Sequence, residues 1–290
     1  MVTTAEPAVN LQFAYSSGLE IQWLTTSTLA IYPGQCRDST NTFDIVLPAA
    51  SSTTPYTVLN SALTGIGGID IGAPLVTTSW YGVYVIADPQ GFHPTGVIAT
   101  NVYNLGTTTF FGGAPLLPHG YGIYRRIGWF GTLGGTNIVK FYQVGGPGIK
   151  IYQWDVPYEE ITAHASSTTY VAAAFTGAPP SINQVNFPAN VGTLLTGNAG
   201  VKRVRALVSY TPATAGNVLN LAPLGTSATA TTGPVQITGP VVSTAFLSSV
   251  DIVTGANVTA GNGPLNGFNY ASTSASDTLS VWTTGFEDYL

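Results

Sequence analysis

Chemistry needs side chains that titrate, ligate or attack, and this chain of 290 residues has few: 8 Lys and Arg, 13 Asp and Glu, 3 His and 1 Cys. A nucleophilic thiol needs a base beside it. No histidine stands near Cys36 in sequence, so Cys36 reads as structural. His93, His119 and His164 are scattered rather than grouped at ligand spacing, and each reads as a loop or surface histidine. No Gly-x-Ser-x-Gly elbow presents a serine. Glu159 and Glu160 are adjacent, so on a strand they point to opposite faces and form no carboxylate pair for glycoside chemistry. Asp70 follows a glycine turn and reads as a turn cap or an arginine partner before it reads as a ligand. The glycine runs Gly65–Gly72 and Gly145–Gly148 lack the spacing of phosphate-binding loops and read as turns. The sequence therefore assigns no catalytic, cofactor-binding or metal residue, and the expectation is a protein that is not an enzyme. A polysaccharide depolymerase would need a carboxylate-rich groove that these acidic residues do not form.

Two cations sit in an unusual setting. Along Tyr121–Phe130, Tyr124, Arg126, Gly128 and Phe130 alternate with Ile123, Arg125, Ile127 and Trp129, so each face of an extended segment carries one arginine among aromatics. A charge there must be paired or stacked. At least one of Arg125 and Arg126 is expected to be buried and paired with Asp44, Asp70 or Asp88. The other basic cluster, Lys202, Arg203 and Arg205, reads as salt-bridge partners at a strand edge or as a subunit contact.

The element that organises the rest is Ser79–Ala87. Trp80, Gly82, Tyr84 and Ile86 share one face, Tyr81, Val83, Val85 and Ala87 the other, and both faces are apolar. That is a strand covered on two sides, and Asp88-Pro89 ends it. Further strands are expected at Asn10–Tyr15, Glu20–Trp23, Thr28–Tyr32, Thr42–Leu47, Gly96–Thr100, Asn101–Leu105, Ile138–Val144, Ile149–Trp154, Thr168–Phe175, Val201–Tyr210, Asn217–Leu221, Val235–Ile237, Val241–Val253, Gly267–Ala271 and Thr278–Thr283. Residues 36–41 read as a polar loop closed by Asp38 or Asn41, and Val58–Leu63 fits a short helix or a strand. The fold class is all-β, as two β-sandwich or jelly-roll-like domains. The divisions are an N-terminal arm over residues 1–10, a β domain over 11–157 and a C-terminal sandwich over 158–290.

Composition narrows the partners. Only 7% of residues are charged, against roughly 25% in an average soluble protein. The net charge is −5 and the pI about 4.9, which gives no footprint for nucleic acid. No apolar run reaches the ~18 residues of a membrane span, so no membrane insertion is expected, and the first residues do not read as a signal peptide. A surface this poor in charge points to burial against copies of itself or other proteins.

Four segments carry a resemblance: Thr28–Ile45, Gly67–Gly72, Trp80–Ile86, and Leu117–Tyr121 running on through Tyr124–Gly128. They resemble virion structural proteins of tailed bacteriophages, of the tail-fibre, head-fibre or minor structural type, and Ser280–Phe286 resembles the C-terminal strand of such proteins. The resemblance implies a virion protein assembled in the host cytoplasm. It implies no catalytic residues and no cofactor. The expected partners are further copies of the chain, with a trimer favoured by analogy with phage fibres and decorations, and other virion proteins. The alternative is a host-recognition adhesin using exposed aromatics to bind a host surface glycan.

Overall fold

The computed structural model describes residues 15–72, 75–76, 79–104, 115–133, 136–146, 148–165, 171–172, 187–188, 200–223, 234–253, 255–257 and 265–289. The expected N-terminal arm lies outside them, as do most of Asn10–Tyr15 and Thr168–Phe175. Among the described residues there is no helix, and every paired strand is antiparallel to its neighbour. The protein is all-β and sandwich-like.

In chain order the strands are β1 (Ser16–Gly18), β2 (Ile21–Thr25), β3 (Thr28–Ile31), β4 (Gly34–Arg37), β5 (Asp44–Leu47), β6 (Thr57–Asn60), β7 (Ser79–Ala87), β8 (Gly96–Asn104), β9 (Ile123–Leu133), β10 (Asn137–Ile138) and β11 (Phe141–Gly146). Then follow β12 (Ile149–Ala165), β13 (Val171–Ala172), β14 (Phe187–Pro188), β15 (Gly200–Thr211), β16 (Val218–Pro223), β17 (Val235–Thr238), β18 (Phe246–Val253), β19 (Gly255–Asn257), β20 (Leu265–Ser272) and β21 (Thr278–Tyr289). Two small sheets, β1-β4-β5 and β2-β3-β6, accompany a four-stranded sheet, β10-β9-β7-β8. A five-stranded sheet has the order β11-β12-β21-β15-β18, and a last sheet gathers β13, β14, β16, β17 and β19 around β20.

The double cover expected for β7 is present. Tyr81, Val83, Val85 and Ala87 belong to the main core, while Tyr84 and Ile86 pack with Ile98 and Tyr121 in a second cluster. Trp80 reaches the five-stranded sheet, its ring 6.1 Å from Trp154 and 5.7 Å from Phe286. Gly82 pairs across the ladder with Trp129. A side chain at Gly82 would meet that indole at 3.3 Å and the Tyr84 ring at 2.8 Å, so the small residue makes room for two large ones.

Several expectations shift. Cys36 lies in strand β4, opposite Ile45, and not in a loop; the polar turn begins at Asp38. Val58–Leu63 resolves as the strand β6 followed by a turn. Residues 96–104 form one strand where two were expected. The segment before Phe246 is irregular, so β18 is shorter than Val241–Val253.

The expected division at residues 157 and 158 falls inside a strand. β12 runs through Pro157, pairing with β11 on one side and β21 on the other. Pro157 coincides with a register irregularity between Gln153 and Tyr158, where a residue without an N–H costs no ladder bond. One core joins Trp80 and Phe130 from the first half to Val208, Val281 and Phe286 from the second.

Candidate assembly surface

Several polar groups of the interior hold loops and strands in place. Asp38 accepts from the amides of Thr40, Thr42 and Phe43, closing the 38–43 turn as the sequence suggested. Burial alone would raise its pKa, but these bonds and the Thr40 hydroxyl outweigh it and hold the carboxyl below its ordinary value. Asp70 accepts from the amides of Gly72 and Leu116, a capping role. Asp277 is buried and accepts from the hydroxyls of Ser272 and Tyr210, the amide of Ala213 and the side chain of Asn217. Burial again opposes ionisation, and the four donors lower the pKa in spite of it.

The arginine expectation is met in part and corrected in part. Arg126 is buried, but its partner is Asp288, not Asp44, Asp70 or Asp88: Nη1 lies 2.5 Å from Oδ2 of a carboxylate with no exposure. The guanidinium also lies 4.3 Å from the centre of the Trp129 ring. Lys150, opposite Asp288 on the neighbouring strand, is buried as well and donates to the carbonyl of Gly18 at 2.9 Å. Burial lowers the Lys150 pKa, against the raising influence of Glu20 and Asp288. Asp44 is taken by Arg37 at 3.1 Å. Arg125 is half-buried and makes no ion pair among the described residues.

Asp88 joins His93, with Nδ1 2.8 Å from Oδ2, and also accepts from the amides of Gln90, Phe92 and His93. The His93 bond is the main reason its carboxyl titrates below the ordinary value. This Asp–His pair was missed at the sequence level, because Asp88-Pro89 reads as a strand stop. A nucleophile would complete a catalytic arrangement, but among the described residues no serine or cysteine hydrogen-bonds to the His93 ring. The pair closes the 88–93 loop. His119 is exposed two residues before Tyr121, and His164 and Glu159 lie on β12 paired with Leu279 and Trp282. Cys36 is fully buried, and burial pushes its thiol up to about 12, so it is a poor nucleophile.

The surface carries a different pattern. On the outer side of the five-stranded sheet, Glu287 holds Arg205 at 3.3 Å and Arg203 at 3.8 Å, and Asp251 stands 4.0 Å from Arg205. Arg203 and Arg205 are thus salt-bridge partners within their own sheet, on the interior strand β15 and not at the edge that was expected. Beyond Arg205, from Ala206 to Thr284, Asp251 and Asp277 are the sole carboxylates and there is no Lys, Arg or His. In that stretch Val241, Val242, Phe246 and Leu247 are exposed, Leu247 at 62%. They lie in and just before β18, the last strand of its sheet.

A second exposed feature is aromatic. Lys140 stands over the rings of Trp23 and Tyr142 at 5.6 and 5.7 Å, and pairs with Asp155 at 3.1 Å. Tyr142, 54% exposed, donates its hydroxyl to the same carboxylate. Comparison with protein-family models, with curated proteins and with solved structures gives no match.

Proposed function

We propose that this chain is a structural component of a tailed-bacteriophage virion, a tail or neck fibre or a capsid decoration, that acts by self-assembly and docking. The observation that carries the assembly part is the exposed apolar segment around β18, in a stretch whose sole charge from residue 239 to 257 is Asp251. Free proteins keep apart through charge, whereas a contiguous apolar patch marks an interaction surface. The virion part rests on the resemblance of residues 28–45, 67–72, 80–86 and 117–128 to phage structural proteins. Catalysis has no part in the reading: Asp38, Asp70, Asp88 and Asp277 hold loops, and the Arg126–Asp288 pair joins two strands. Immunogold labelling and mass spectrometry of purified particles test it. The protein is expected in stoichiometric amount at a fixed position on the particle, and its absence from particles would refute the reading.

A second reading, a glycan-binding adhesin, is favoured by the group of Trp23, Tyr142, Lys140 and Asp155, which sets aromatic faces beside hydrogen-bonding groups. Sugar rings stack on such faces. Binding on a glycan array that is lost in Tyr142→Ala, with assembly unaffected, would favour it.

A further inference from the structure

We propose that the outer edge of β18 pairs with the β18 edge of a second copy of this chain, merging two five-stranded sheets across a two-fold axis normal to the sheet. The proposal deepens the self-assembly reading and names the partner of that surface.

A contrast between two sheet edges carries it. The edge at β8 is closed by the glycine-rich segment 65–72. There the Gly67 amide donates to the Val97 carbonyl, Ala99 to Gly68, and Asp70 to Ala99. Among the described residues no strand pairs with the outer edge of β18. Proteins blunt such edges with lysine, proline, bulges or brevity, because unpaired N–H and C=O groups template another strand. β18 uses none of these. It spans 8 residues, Phe-Leu-Ser-Ser-Val-Asp-Ile-Val, without lysine or proline. It keeps an unbroken register with β15 from Arg203↔Val253 to Tyr210↔Phe246. Its one charge is Asp251, already beside Arg205.

Charge also selects the occupant and the register. From Gly239 to Asn257 Asp251 is the sole ionisable residue, so a strongly charged partner would find almost nothing to pair with, while a neutral edge matches its own copy. A two-fold axis normal to the sheet sets residues of like parity opposite each other, which keeps both cores on one side. Centring on Asp251 would oppose two carboxylates. Centring on Val250 would leave them two residues apart. Centring on Ser249 sets Phe246 opposite Ile252 and Ser248 opposite Val250, and separates the two Asp251 residues by four places, about 13 Å at ~3.3 Å per residue. The interface is small, so the pairing is of the weak class that a particle would reinforce by local concentration.

Ser249 then meets its own copy at the axis, at a cross-strand distance that suits a disulfide. Cys36 is buried and gives little background. The test uses the full chain. Sedimentation through the high micromolar range should show the mass rising toward twice 30.1 kDa. Ser249→Lys, which opposes two ammonium groups at the axis, should hold it at one chain with an unchanged circular dichroism spectrum. Mild oxidation of Ser249→Cys should give a covalent dimer, and Ser52→Cys, in an exposed loop, should not. A chain that stays monomeric with no Ser249→Cys dimer above that control would overturn the pairing, as would association undiminished in Ser249→Lys. If Ser249→Lys fails to fold, the cross-link decides alone. Failure of the virion reading shows separately: a cross-linked dimer of a protein missing from particles ends that reading and leaves the pairing. A particle protein without the cross-link ends the pairing alone.

Discussion

At the scale of single residues, the energetics concentrate where charge is buried. Asp288 has no exposure and Arg126 little, and the two are joined at 2.5 Å. Removing one partner strands the other in a medium that cannot solvate it, at a cost of about 3–5 kcal/mol. Arg126→Ala and Asp288→Ala are both expected to lower the unfolding free energy measured by urea titration by that amount, with a lower midpoint, and Arg125→Ala, which breaks no ion pair among the described residues, by much less. Equal midpoints for the two arginine variants would remove the pair from the account of stability. Acid should act through Asp38 and Asp277, whose folded pKa values are lowered. A depressed carboxylate contributes stability above its unfolded value of about 3.9, and that contribution is lost as pH falls through the lower folded value. The melting temperature should therefore be steady down to about pH 5 and drop below about pH 4. Asp277→Asn should start lower at neutral pH and lose less on acidification, and thermal melts across that range would show it. Cys36 should react with a thiol reagent only after unfolding, since it is buried and its thiol is raised to about 12. Rapid modification of the native protein would contradict this.

At the scale of elements, what the sequence disclosed was what short spans determine. β7, the β11–β12 hairpin and the Asp38 turn follow from alternation, from the glycines between the strands and from an Asx side chain bonding its own backbone. The Asp partner of Arg126 lies 162 residues away, and no local pattern announces it. The exposed edge of β18 was hidden for the same reason: Phe246–Val253 reads as a strand, but its place at the end of the sheet is set by what β15 and β21 do. Glycines divide likewise. Gly128 and Gly146 both lie in strands. A side chain at Gly128 would meet the Tyr152 hydroxyl at 2.1 Å and Ile21 at 2.7 Å, and that hydroxyl also accepts from the Trp129 amide. Nothing lies within 4 Å of a side chain at Gly146. Gly128→Ala should cost about 1–3 kcal/mol through overpacking, whereas Gly146→Ala should stay within about 0.5 kcal/mol of the parent. Denaturant midpoints of the two variants side by side would decide it, and equal values would show that the core yields around Tyr152.

At the scale of the whole molecule, the question is whether the chain unfolds as the two domains its sequence suggests. Charge thins out after residue 205 and Pro157 interrupts the pattern, and both features look like a boundary. Two things bind the halves. β12 passes through the boundary and pairs with β21, which starts at Thr278 and returns to the first half to set Asp288 against Arg126. The rings of Trp80, Tyr152, Trp154 and Phe286 then pack together, with Tyr152 and Phe286 stacked at 4.4 Å and Trp154 tilted against Phe286 at 5.6 Å. Cutting at residue 157 would divide β12 near its middle and separate Phe286 from the rings of Trp80, Tyr152 and Trp154. The expected outcome is one cooperative thermal transition in calorimetry, with tryptophan fluorescence and far-ultraviolet dichroism following the same curve. Fragments 11–157 and 158–290 expressed separately should lack the sharp near-ultraviolet signal of packed aromatics. Two resolved transitions in the full chain, or a fragment that melts cooperatively alone, would show that the shared sheet joins two independent domains instead of making one.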